Sequence, residues 1–150
     1  MPPAGSITGW RNNELAYAIT DWAKKDGNGV AFDSSTGFTL SNGAKRSPDF
    51  SWVRRERWEA LTPEEQEGLA PICPDFVVEL RSRTDRLSTL QAKMEEYIEN
   101  GARLGWLIDP SEKRVYIYRP GRTVEELADP ATLSGEQVLP GFVLSVSELW

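Results

Sequence analysis

The sequence predicts a mixed β-sheet flanked by helices, within the α/β or α+β class. Three observations point there. Residues 75–80 form an apolar run with the two-residue alternation of a buried strand. A longer stretch, 85–100, repeats apolar residues at helical spacing. Residues 104–108 and 115–118 then read as a strand hairpin joined through Asp109-Pro110-Ser111-Glu112. The order along the chain is helix, several strands, short helix, strand, long helix and hairpin. At 150 residues the chain suits one domain, 1–150, with enough length for a real core.

Residues 1–9 are small and rich in Pro and Gly, and read as a loose arm. The first helix follows, capped by Asn12 or Asn13 and striped by Leu15, Ala18, Ile19, Trp22 and Ala23. Lys24 and Lys25 suit its C-terminal end, and Asp26-Gly27-Asn28-Gly29 breaks it. Residues 30–33 read as a strand, Ser34-Ser35-Thr36-Gly37 as a turn, and 38–40 as the returning strand. After a second turn at Ser41-Asn42-Gly43, residues 47–53 form the next strand, with Pro48 at its start. A short helix over 54–61 carries Trp58 and Leu61. Thr62-Pro63-Glu64-Glu65 then matches a capping box with Pro at the first helical position. Thr84 or Asp85 caps the longest helix, whose stripe is Leu87, Leu90, Met94, Tyr97 and Ile98, and Asn100-Gly101 stops it. Residues 120–137 are polar and irregular, with one short strand near Val124, and 143–150 closes the domain. The six Trp residues read mostly as core.

Composition narrows the chemistry. There is no histidine, which removes His-based triads, HNH-type nucleases and most transition-metal sites. Acid–base or metal work must then use carboxylates, Lys and water, and oxygen ligands point to Mg²⁺ or Mn²⁺. Cys73 is single, so no internal disulfide forms, and the N-terminus has no secretory pattern; both suit a cytoplasmic protein. No apolar run is long enough for a transmembrane helix, so no membrane partner is expected. The net charge of −6 opposes general nucleic-acid affinity. Residues 45–93 hold nine Lys/Arg and nine Asp/Glu, however, so the negative charge lies in the flanks.

The run 75–80 carries two carboxylates that a buried strand has no stability reason to hold. Asp75, Val77, Glu79 and Arg81 share one face, and Phe76, Val78 and Leu80 the other, which reads as core. Asp49, Ser51 and Val53 share a face of the preceding strand. Lys93 projects about 60° from Leu90, beside the apolar stripe of the long helix. Asp49, Glu79 and Lys93 thus supply two metal-binding acids and a cation without histidine. Their bland readings are a strand-end cap for Asp49 and a snorkelling side chain for Lys93. Asp75 lies four residues from Glu79, roughly 13 Å along a strand, too far to share one ion directly. A supporting role suits it better. Arg54, Arg55 and Arg57 form a basic face, solvated or touching DNA.

Asn42-Gly43, Ser47-Pro48-Asp49, the stretch Pro74-Asp75-Phe76-Val77-Val78-Glu79-Leu80-Arg81-Ser82, then Asp85, Lys93, Tyr97 and Asn100-Gly101 form a pattern. It continues through Trp106-Leu107-Ile108-Asp109-Pro110 and Leu139-Pro140-Gly141-Phe142. This combination resembles the Uma2 family of restriction-endonuclease-like proteins, over nearly the whole chain. The resemblance implies the PD-(D/E)XK nuclease fold, a central mixed sheet flanked by helices. It implies an Mg²⁺- or Mn²⁺-dependent DNA endonuclease, with metal-binding acids at Asp49 and Glu79 and the Leu80 carbonyl as a further ligand. The usual motif has lysine two residues after the second acid. Here Arg81 stands there, which cannot serve as a base and would instead contact phosphate or pair with a carboxylate. Lys93 is the expected replacement. Lys93 and Tyr97 share the spacing of the Gln-x-x-x-Tyr motif of some such nucleases, and Glu14 is a candidate for the helical acid that others add. A homodimer follows if both strands of a duplex are cut, with residues 115–118 as an exposed edge for the interface. The rival expectations are an inactive nuclease fold that binds DNA or regulates, and a hydrolase of another phosphoester.

Overall fold

The computed structural model describes residues 5–150. Its centre is β5 (Phe76–Leu80), in which all five residues are buried. Strands buried on both faces are normally apolar throughout, and Glu79 breaks that rule. β5 pairs antiparallel with β4 (Phe50–Arg54) and parallel with β6 (Leu104–Asp109). A parallel neighbour needs a crossover, which α4 (Leu87–Glu99) supplies. β7 (Arg114–Tyr118) and β8 (Glu125–Ala128) extend the sheet beyond β6, and β1 (Gly29–Phe32) flanks β4. The order is β1-β4-β5-β6-β7-β8, mixed, as the sequence predicts.

Alternation along β5 divides the core in two. Phe76, Val78 and Leu80 pack on the side of α1 (Ser6–Asp26), with its buried Leu15, Ile19 and Ala23. Val77 points the other way, toward Leu107 and the Leu90, Met94 and Tyr97 face of α4. Glu79 lies two residues beyond Val77 and so shares the α4 side. Met94 packs over Gly105: a Cβ there would lie 2.7 Å from Met94 Cε. Burial of Leu90 and Met94 contributes about 1.5–3 kcal/mol each. That packing holds a helix whose N-terminus has no side-chain cap.

A small hairpin braces the same helix. β2 (Phe38–Thr39) pairs with β3 (Lys45–Arg46), and Gly43 takes φ 88° in the connecting turn. Ser41 Oγ and Asn42 N–H donate to Asn100 Oδ1 at 2.7 and 3.1 Å. Arg46 Nε donates to Glu96 Oε1 at 2.5 Å. The hairpin is thereby tied to the C-terminal half of α4, immediately before the chain turns into Ser47-Pro48-Asp49.

Several elements differ from the sequence reading. α1 begins at Ser6, so residues 6–9 of the expected arm are helical, while 1–4 lie outside the described residues. Its start has no side-chain cap. Tertiary contact near that end comes from Arg11, which donates to the Leu149 and Trp150 carbonyls at 2.7 and 3.1 Å. Residues 38–39 pair with β3 and not with β1. Asp85 does not cap α4, because its Oδ2 accepts from Ser82 N–H and Oγ at 2.9 and 2.8 Å. A strand, β9 (Thr132–Ser134), occupies part of the stretch expected to be irregular and pairs with β10 (Val143–Ser145). Residues 115–118 are no exposed edge: they are buried within β7 and covered by β8. Trp10 is exposed. The short helix expected over 54–61 is α2 (Arg55–Glu59), and the Thr62–Glu65 capping box forms as expected and starts α3 (Pro63–Glu67).

Candidate active site

The site begins just before β4, which starts at Phe50 opposite Val78. Pro48 and Asp49 precede that first paired residue. The Leu80 N–H donates to Asp49 Oδ2 at 2.7 Å. That contact fixes one carboxylate at the end of β5.

Glu79 is 4% exposed. Tyr97 Oη donates to its Oε2 at 2.8 Å, and Lys93 Nζ stands 3.9 Å from its Oε1. Lys93 and Tyr97 are one helical turn apart on α4, so both reach the same carboxylate. Lys93 is one-third exposed and lies at the mouth of the site.

The electrostatics leave this pair of acids short of positive charge. Burial pushes the Glu79 carboxyl up to about 8, and the neighbouring Asp49 charge pushes the same way; Lys93 and the Tyr97 hydroxyl oppose them. Burial also raises Asp49, against the Leu80 N–H and Lys93. The Asp85 carboxylate adds to the repulsion at both. Burial and the Glu79 charge push the Tyr97 hydroxyl upward, so it stays a donor.

This donor set fits a hard divalent cation. Asp49 Oδ1 accepts no hydrogen bond among the described residues, and the nearest cation to Glu79 Oε1 is the distant Lys93. No group of three or more acidic, His or Cys side chains is gathered tightly enough to cage an ion among the described residues. One or two carboxylates, with several waters and substrate phosphate, are how Mg²⁺ is commonly held.

The remaining candidates lie elsewhere. Asp75 is 2% exposed, and its Oδ2 accepts from Arg54 N–H at 2.9 Å and from Arg57 at 2.8 Å. Arg81 donates to the buried Asp109 at 2.8 Å and to the Asp85 carbonyl at 3.2 Å. It binds the 81–85 loop to β6. Glu14 is exposed on α1, across the sheet from Glu79, so it is no part of this cluster. Sequence reasoning passed over Asp85 as a neighbour of both acids, and passed over Arg46. Arg46 is only three residues before Asp49, but its tie to Glu96 depends on packing that no local pattern shows.

The same architecture occurs in a solved structure of "a putative nuclease belonging to DUF820" from Anabaena variabilis ATCC 29413. It is 24% identical, with a TM-score of 0.82 over 99% of this chain and 82% of that one. The two chains therefore share one fold, a central mixed sheet flanked by helices. A looser likeness, TM-score 0.47 at 13% identity, links 75% of this chain to 9% of a chain in the "DrdV-DNA complex". No curated protein sequence matches the chain. The chain belongs to the Uma2 family, whose model, described as "Putative restriction endonuclease", matches residues 1–147. No helix among the described residues is long and apolar enough to cross a membrane.

Proposed function

We propose that this protein is a divalent-metal-dependent nuclease that hydrolyses DNA phosphodiester bonds. The observation that carries the reading is the buried, under-compensated pair Asp49 and Glu79 with Lys93 at its mouth. Asp49 and Glu79 would hold Mg²⁺ or Mn²⁺, with the Leu80 carbonyl beside them. Such an ion, when bound, supplies charge stabilisation on the phosphoryl oxygens and acidifies water. The Leu80 N–H holds the Asp49 carboxylate in place, and Tyr97 fixes Glu79 Oε2 so that Oε1 faces the mouth. Lys93 orients the attacking water and offers positive charge where the phosphoryl group gains negative charge. Arg81, locked to Asp109, takes no part in the proton transfers.

Wild-type protein is expected to cut plasmid DNA with Mn²⁺ or Mg²⁺, and to lose cutting in EDTA and as Asp49→Ala or Glu79→Ala. Full activity in either variant or in EDTA would overturn the reading. Cutting both strands with one centre per chain calls for a homodimer; a monomer mass by light scattering during double-strand cleavage would remove that part. Arg81 in the usual lysine position favours a second reading, an inactive nuclease fold that binds DNA. Retained DNA affinity without Mn²⁺ binding would favour it.

A further inference from the structure

Two of the surface cavities lined by described residues lie beside β5 and α4. One, of about 610 Å³, adjoins the Asp75 end of β5 and mixes Arg54, Arg55 and Arg103 with Asp26, Glu56 and Glu59. Its charges cancel. The other, of about 470 Å³, is lined by Arg46, Ser88, Thr89, Ala92, Lys93 and Glu96. Its floor is one face of α4, since residues 89, 93 and 96 follow helical spacing. Its far wall is the β2–β3 hairpin, which delivers Arg46. Both Glu96 oxygens are occupied, by Arg46 and by the Asn42 amide. Ser88 and Thr89 are exposed, so their hydroxyls are open to solvent. The first turn of α4 holds no acidic residue to oppose an incoming anion. Lys93 belongs to this groove and also lies 3.9 Å from Glu79, so the groove leads directly to the acid pair.

We propose that this groove seats the phosphodiester backbone next to the scissile bond. Arg46 and the Ser88 and Thr89 hydroxyls hold the phosphate that neighbours the one being cut. The proposal rests on Asp49 and Glu79 being the reacting centre. It also selects the substrate class: a polynucleotide with a flanking phosphate, rather than a small phosphodiester. The contacts are to backbone, so they add affinity without reading sequence. The balanced cavity at the other end has no such role.

The test uses Ser88→Glu, an exposed change off the helical row of Lys93, and Arg46→Gln. Binding of a short labelled oligonucleotide is read by fluorescence anisotropy with Ca²⁺ in place of Mg²⁺, across a salt series. Ser88→Glu is expected to weaken binding about tenfold and Arg46→Gln to lower the salt slope by about one. In cleavage, KM for the oligonucleotide rises in both variants while hydrolysis of bis(p-nitrophenyl) phosphate changes less than about twofold. If Arg46→Gln unfolds because Glu96 loses its partner, Ser88→Glu alone decides. Unchanged oligonucleotide binding in Ser88→Glu overturns the groove, as does an equal loss on both substrates. A wild type that binds oligonucleotides through this groove yet cleaves no diester overturns the catalytic reading and leaves the groove standing.

Discussion

The two ends of β5 each bury a carboxylate, and the fold treats them differently. Asp75 is met by a backbone N–H and a guanidinium, both within 2.9 Å. Glu79 is met by one hydroxyl, with its nearest cation at 3.9 Å and a second acid pressing on it. A buried charge that is paired and hydrogen-bonded serves the fold; removing its partner is what costs stability. A buried carboxyl whose charged form is short of partners contributes no such pairing to the fold, which marks it as a candidate for chemistry. The same strand therefore carries a structural acid at one end and the proposed metal acid at the other.

Exchanging the two roles by mutation gives the largest effects. Glu79→Ala should lower cleavage at least about 100-fold, because even outer partners of a metal ligand are worth 10–100-fold. Glu79→Gln should leave the metal-free protein as stable as wild type or more so in urea unfolding at pH 8. Asp75→Asn should do the reverse: keep most cleavage activity and lose about 1–3 kcal/mol of stability, since the Arg57 guanidinium loses its anionic partner in a buried setting. Equal losses of stability at both positions would erase the distinction. A smaller effect is expected at Tyr97. Tyr97→Phe removes the donor to Glu79 Oε2 while keeping the ring in the core, and should weaken Mn²⁺ binding about tenfold. Arg81→Lys gives the smallest change. It restores the usual motif residue but breaks the geometry to Asp109 and to the Asp85 carbonyl, so stability should drop by about 1 kcal/mol with no gain in rate.

Much of this centre was legible before folding. Two-residue alternation put Glu79 on the face opposite Phe76, Val78 and Leu80, and helical spacing set Lys93 and Tyr97 one turn apart. Pro48 announced a strand start with Asp49 beside it. Local periodicity fixes which face a side chain takes, and those faces are what the site uses. It does not fix which distant groups meet. Asp75 meeting Arg57, Arg81 meeting Asp109, and Arg46 meeting Glu96 all depend on long-range packing. For Glu14, the position on α1 was readable, but the side of the sheet that α1 covers was not. The start of α1 was missed because its contacts come from the C-terminal carbonyls rather than from a cap.

Calorimetric titration of the metal-free protein with Mn²⁺ at several pH values tests the central claim most directly. Between the ordinary glutamate range and about 8, folded Glu79 holds a proton that the unfolded chain has released. Metal-free stability therefore falls as pH rises across that window, and an ion entering the site must displace the proton. The account predicts Mn²⁺ affinity that rises with pH up to about 8, proton release seen as a dependence on buffer ionisation heat, and loss of binding in Glu79→Ala but not in Asp75→Asn. Mn²⁺ binding that is independent of pH, or that survives Glu79→Ala, would contradict it.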